Sequence, residues 1–377
     1  MGIHASFGNA YDYVMWRSDL TFEEAPLNEV DIFLLSQFAT PDFRGIISGN
    51  VYEITLEEAC RKYFETHTTD KSNIGLLQSD YLLPTLKEAA KSRRYGKLEL
   101  CGYIDRVKDE EAEQFSAVMT SVDPGLVVVT FMGTDDTLTG WKEDFNLCMD
   151  SVLPSQRDAQ DYLTWASEVY PKARIGVCGH SKGGNLALFS AATVAKEVQD
   201  RIDFVYDLDG PGLKDWVLNT EGYERIHEKI TTIVSEQTTI GTLLNMGMPL
   251  TVVQTTATGM VAHDAFTWKV IKDHFIRAEK LSRDSILFGY TINNVIKDLP
   301  EDRKKTFVDV FFDIITSTGA RTVTDVKNTD VRDLLHALSK LSRNEDMNYF
   351  ANLLKKEAER TLRHLRKGEL KSWENTD

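Results

Sequence analysis

Residues 174–188 read Arg174-Ile175-Gly176-Val177-Cys178-Gly179-His180-Ser181-Lys182-Gly183-Gly184-Asn185-Leu186-Ala187-Leu188. Gly179 to Gly183 form a G-x-S-x-G pentapeptide, and its flanks give it meaning. A short apolar, β-branched run, Ile175 to Cys178, precedes it, and a helix-forming run from Asn185 to Val198 follows. Strand, sharp turn and helix make up the setting of a nucleophile elbow. A serine at such a tip is held in a strained backbone with its Oγ pointing away from the sheet. Gly179 and Gly183 lack Cβ atoms, so strand and helix can approach closely. The N–H groups that open the following helix face the same place and favour a developing anion.

The pattern extends outward from the elbow. Leu126 to Met132 is a continuous apolar run, as expected for a strand buried on both faces of a parallel sheet. Residues 155–170 read as a helix. After the elbow helix comes Ile202 to Leu208, a strand ending in Asp209-Gly210-Pro211-Gly212, and then strand-like runs at 230–234 and 250–254. This alternation over 126–263 predicts an α/β fold with a mostly parallel, doubly wound sheet. Upstream, 97–107 and 113–122 read as a β-hairpin across the charged turn 108–111, and helices are expected at 27–38, 56–65 and 84–92. Beyond about residue 275 strand-like runs cease. Helical spacing appears at 303–317, 330–341 and 345–366. The expected organisation is a core over 1–275 and a helical C-terminal segment over 276–377 packed on it.

Composition narrows the function classes. The chain has 377 residues, 42% hydrophobic and 27% charged, with net charge −15. A nucleic-acid surface is disfavoured, because phosphate neutralisation needs clustered Lys and Arg. Cys60, Cys101, Cys148 and Cys178 are scattered without a C-x-x-C, which suggests neither a zinc site nor a disulfide framework. Cys178, inside the expected core strand, reads as a small buried hydrophobe. No signal-peptide pattern and no run approaching ~18 apolar residues is found, so a cytoplasmic location without an integral membrane segment is expected.

A serine nucleophile needs a base, and the base needs an orienting acid. In α/β-hydrolases the chain order is Ser, then Asp or Glu, then His. His263 follows the last strand and is the expected base. His227 lies in a charged, helix-like stretch, His274 in an expected amphipathic helix, and His180 is adjacent to the nucleophile, where packing or a local hydrogen bond is expected. The expected acid is Asp209, at the strand edge where ligands gather in open α/β sheets. Glu236, directly after the next strand, is the alternative. The oxyanion hole takes the N–H of Lys182, the residue after the nucleophile. The other donor comes from the loop Phe131-Met132-Gly133-Thr134-Asp135, with Thr134 as the candidate. Asp144 is expected to tie that loop down.

At these residues the chain resembles known hydrolases. Phe131-Met132-Gly133-Thr134-Asp135 with Trp141-Lys142-Glu143-Asp144, and Gly179-His180-Ser181-Lys182-Gly183-Gly184, are similar to the oxyanion segment and elbow of fungal-type triacylglycerol lipases. Met132 stands where that group has Arg, and Lys182 where it has Leu. Leu208-Asp209-Gly210-Pro211 resembles the acid-bearing strand end of pancreatic-type lipases. A closer resemblance covers most of the chain. Tyr11-Asp12-Tyr13-Val14, Asp19-Leu20-Thr21-Phe22, Leu27-Asn28-Glu29-Val30-Asp31, Ile240-Gly241-Thr242-Leu243-Leu244 and His263-Asp264-Ala265-Phe266-Thr267-Trp268 look like the Mbeg-like domain-of-unknown-function family of bacterial lipase-like α/β-hydrolases. That family's substrate is not assigned. The resemblance implies the α/β-hydrolase fold, a serine triad and a small-molecule or lipid acyl ester as substrate, with no cofactor and no metal. The expected function is a serine esterase or lipase acting through an acyl-enzyme. The alternatives are an acyltransferase or thioesterase with the same triad, or a catalytically weak hydrolase-fold binding protein.

Overall fold

The structure, a computed structural model, describes residues 7–38, 40–69, 78–108, 113–135, 137–147, 152–244, 249–300, 302–306, 308–309 and 345–370. It has the α/β-hydrolase fold. Eight strands form one sheet in sequential order: β1 (Ile54–Thr55), β2 (Glu99–Lys108), β3 (Glu113–Asp123), β4 (Leu126–Phe131), β5 (Arg174–His180), β6 (Ile202–Leu208), β7 (Ile230–Ser235) and β8 (Thr251–Val253). The β1 to β4 pairs are antiparallel and those from β4 to β8 are parallel. The expected hairpin is β2–β3, and its turn lies outside the described residues. A small antiparallel pair, β9 (Val270–Ile271) and β10 (His274–Phe275), stands apart. His274, expected in a helix, therefore sits in a two-residue strand.

Helices cover both faces. On one face lie α1 (Ala10–Arg17), α2 (Glu29–Gln37), α3 (Leu56–Tyr63) and α4 (Leu82–Ala90), packed with Trp268 and Phe275 against Val128, Cys178, Leu208 and Ile233. On the other lie α5 (Leu138–Asn146), α6 (Pro154–Val169) and α7 (Lys182–Thr193), followed by the short α8 (Lys196–Gln199), α9 (Asp215–Leu218) and α10 (Glu221–Ile226). There α6, α7 and α10 bury Leu163, Leu186 and Ile226 against Val127, Val129, Val177 and Val205. Alternate residues of one strand thus serve opposite cores, which is why these strands are apolar throughout. Helix α7 is buried along nearly its whole length. It begins at Lys182, earlier than its sequence suggests, and ends where Val194 turns extended (φ −66°, ψ 163°).

The N-terminal helices are fastened by a buried polar node. Asn28 and Asp31 form a reciprocal capping box at the start of α2. The Asp31 carboxylate also accepts hydrogen bonds from Tyr13 (3.0 Å), Tyr95 (2.6 Å) and Arg94 Nε (2.8 Å). The remaining Arg94 nitrogens donate to Asp31 and to the carbonyls of Leu20, Thr21, Ala25 and Pro26. Both charged side chains are completely buried. They are stable there because every hydrogen-bonding direction of the guanidinium is used.

Beyond the sheet, α11 (Arg283–Asp298) packs on the turn at Ile240–Thr242 and on α12 (Glu345–Arg366). Leu365 and Leu370 reach the cluster of Val234, Leu250 and Val252. Of the helix expected at 303–317, residues 303–306 and 308–309 are described and are helical; its remainder and the helix expected at 330–341 lie outside the described residues.

Candidate active site

The parallel ladder brings three chain segments to one sheet edge. Ser181 N–H donates to Leu208 O (3.0 Å), and Asp209 N–H donates to Ile233 O (2.8 Å), so the ends of β5, β6 and β7 are level. Ser181 is the N-cap of α7, with φ 58° and ψ −131°. Few non-glycine residues adopt such a backbone, and holding one costs of order 1–3 kcal/mol. The surrounding packing enforces it: a Cβ on Gly179 would lie 2.2 Å from the carbonyl carbon of Gly183.

Asp209 also has positive φ, 55°, and is fully buried. Its Oδ2 lies 2.7 Å from His263 Nδ1. Since a carboxylate accepts, Nδ1 carries the proton and Nε2 is left as the basic nitrogen. His263 ends a 3₁₀ turn, Gly259–His263, whose Ala262 carbonyl accepts from the buried Trp268 indole (3.1 Å). The expected acid and base are thus brought together. Glu236 is not brought to His263: its Oε1 accepts from Thr255 N–H (3.4 Å), and its carbonyl accepts from Ser282 N–H (2.6 Å) at the start of α11. His227 bonds to Glu224 O, and His274 pairs with Asp273.

His180 does more than the sequence reading expects. Its ring lies 4.7 Å from that of His263, tilted by 31°, and its Nε2 donates to the His263 carbonyl (2.9 Å). Burial, reinforced by the His263 ring, pushes the His180 imidazole down to about 3, so it is neutral near pH 7. Among the described residues Ser181 Oγ makes no hydrogen bond to His263. The observed contacts run from Asp209 to His263 and return to the elbow through His180.

The loop after β4 closes the site from the other side. Met132 N–H donates to Ser116 O (3.0 Å). A Cβ on Gly133 would stand 2.8 Å from His180 O and 3.2 Å from Ser181 Cβ, so only glycine allows this approach. Thr134 Oγ1 donates to Asp144 Oδ2 (2.5 Å), the tie expected for Asp144. Burial lifts the Asp144 carboxyl to about 6.

The sequence of this region matches a family whose extent is now clear. The sequence model described as Mbeg1-like covers residues 89–313, more than half of the chain. The chain belongs to the Mbeg1-like family. Its family segment holds the elbow, the loop after β4, Asp209 and His263 together. Among solved structures it is similar to the M37 lipase, at 15% identity over 56% of this chain and 68% of that one, with a TM-score of 0.35. It is also similar to a fungal lipase at 12% identity, covering 66% and 85% of the two chains, TM-score 0.33. A third likeness is to a mutant form of MDLA from Penicillium cyclopium, at 15% identity, 66% and 86% coverage and TM-score 0.34. No curated protein matches the chain significantly.

Two features of this family member complete the surroundings. Lys182 points away from the site, and its buried Nζ donates to Gln114 O (2.7 Å), to Gln114 Oε1, and to Glu143 Oε2 (3.0 Å). The sequence showed a charge in an apolar place but not its partner, which lies on a different helix. A small cavity beside α7 is lined by both apolar and polar side chains, among them Leu153, Phe189, Trp216, Gln156, Asn185 and Lys214. Among the described residues no group of three or more His, Cys, Asp or Glu could hold a metal ion, and no helix is long and apolar enough to cross a membrane.

Proposed function

We propose that this protein is a serine hydrolase of esterase or lipase type that works through an acyl-enzyme. The observation that carries the reading is the 2.7 Å Asp209–His263 contact at the same sheet edge as the strained Ser181. Ser181 Oγ attacks the acyl carbonyl carbon while His263 Nε2 takes its proton. Asp209 holds the ring in the tautomer with the proton on Nδ1 and stabilises the imidazolium that forms. The oxyanion is met by the backbone N–H groups of Lys182 and Thr134. His263 then returns the proton to the departing alkoxide, leaving the acyl group on Ser181. A water, deprotonated by His263 Nε2, attacks the acyl carbon; the bond to Ser181 Oγ breaks, His263 returns the proton to Oγ, and the acid leaves.

The test is labelling of Ser181 by a fluorophosphonate probe, together with turnover of a panel of p-nitrophenyl esters and lysophospholipids. Labelling that disappears in Ser181→Ala, with turnover of at least one ester, supports the reading. An unlabelled wild-type protein would instead mark a hydrolase-fold binding protein. Product analysis with added alcohol or thiol acceptors separates hydrolysis from acyl transfer.

A further inference from the structure

We infer that the buried Lys182–Glu143 ion pair is the strut that sets the oxyanion hole, making both side chains positioning residues; this rests on the serine-hydrolase reading above. The two N–H groups assigned to the oxyanion belong to separate segments. Lys182 opens α7, and Thr134 belongs to the loop that precedes α5 in the chain. A tetrahedral oxyanion is stabilised only if both donors converge on one point, so their separation must be fixed before substrate arrives.

The Lys182 side chain spans that gap. It leaves the elbow from the residue that supplies the first donor and ends on Glu143 of α5, 3.0 Å away. Lys182 is 1% exposed and Glu143 0%, so the pair is shielded from water. An ammonium has three protons, and all three are used, on Glu143 and on the backbone and side chain of Gln114. Glu143 is equally satisfied: it also accepts Gln114 N–H (3.0 Å) and Ser155 N–H (3.2 Å). The node therefore joins the elbow to β3, α5 and the first turn of α6. The loop's own tie, Thr134 to Asp144, lies on the same helix as Glu143, so moving α5 moves Thr134 with it. A buried ion pair is a poor source of net stability compared with an apolar pair of similar volume. Its directional bonds fix geometry, and geometry is what an oxyanion hole needs.

The test compares the wild-type protein with Lys182→Met, Glu143→Gln and the double variant. Fluorophosphonate labelling of wild-type Ser181 is established first. Then kcat and KM for a p-nitrophenyl ester, the affinity for an alkyl boronic acid and the urea midpoint are measured. The boronate forms a tetrahedral adduct on serine and reports the oxyanion hole directly. Each single variant is expected to lose about 100-fold in kcat, as for a misplaced oxyanion donor. KM should stay within about threefold, and boronate affinity should fall with kcat. The double variant should be no worse than the worse single, because one strut is broken once. If Lys182→Met does not fold, Glu143→Gln carries the same comparison. Unchanged kcat in the folded variants, or a fall in kcat with unchanged boronate affinity, would overturn the strut alone. An unlabelled wild-type protein would overturn the underlying reading as well.

Discussion

Asp209 Oδ2 and His263 Nδ1 meet at 2.7 Å across 54 positions of sequence, with Asp209 fully buried and the His263 side chain 19% exposed. The carboxylate is thus hidden from solvent behind the ring, which stays partly exposed. Asp209→Asn should lower kcat by about 10⁴, the order seen when an amide forces the wrong imidazole tautomer. Glu236→Gln should change kcat little, because that side chain bonds to Thr255. Steady-state kinetics of the two variants on one ester decide the acid; a crippled Glu236→Gln beside an active Asp209→Asn would move it.

The strained Ser181 allows stability and activity to be separated. Ser181→Ala and Ser181→Gly both remove the proposed nucleophile and should both be inactive. Only glycine relieves the φ of 58°. Ser181→Gly should therefore be more stable than Ser181→Ala, by ~1 kcal/mol in urea unfolding. Equal stabilities would mean that the elbow stores no strain.

Gly133 offers a steric test of the loop. Gly133→Ala places a methyl group 2.8 Å from His180 O, so the loop must withdraw. A withdrawal of about 1 Å should cost roughly 100-fold in kcat with a smaller change in KM. Normal kcat in this variant would show that the loop lies outside the catalytic geometry.

His180 gives the fold a pH dependence of known sign. Its folded pKa is lowered to about 3, whereas a free imidazole titrates near 6.5. Above about 6.5 neither state is protonated and the contribution is complete. As pH falls from there towards 3, the unfolded chain gains a proton that the folded one refuses, and stability is lost. Between pH 7 and pH 5 the wild-type protein should lose ~1–2 kcal/mol more than His180→Asn. Parallel pH profiles for the two proteins would show that His180 is readily protonated in the fold.

We propose that residues 276–377 depend on the core. Leu353 is buried with Val295 and Leu299, and Leu365 and Leu370 border the Val234–Leu250–Val252 cluster. Removing residues 303–377 should expose this apolar surface and cause aggregation. A soluble, cooperatively folding and fully active fragment of residues 1–302 would make the region an independent module.

What could be read from the sequence divides along physical lines. The parallel strands were legible because burial on both faces leaves continuous apolar runs such as Leu126–Phe131. The meeting of Asp209 with His263 was legible because strand ends of an open α/β sheet gather side chains at one edge. The start of α7 at Lys182 was not, because Gly183 and Gly184 read as breakers while close packing holds them helical. Helix α5 was missed: it is short, with Gly140 and Thr139 inside it. The partners of Lys182 and His180 were beyond reach for another reason. Glu143 is 39 positions from Lys182, and the group that His180 holds is a main-chain carbonyl, which no side-chain pattern announces.

The Arg94–Asp31 node has a consequence for how the chain opens. The stretch from Leu20 to Pro26 contains no helix or strand, and four of its carbonyls rest on a single guanidinium. Shortening that side chain, as in Arg94→Ala, would release the stretch while α2 keeps its own cap. Proteases would then nick the protein first at residues 20–26, ahead of global unfolding, turning a fastener of the N-terminal layer into its point of entry.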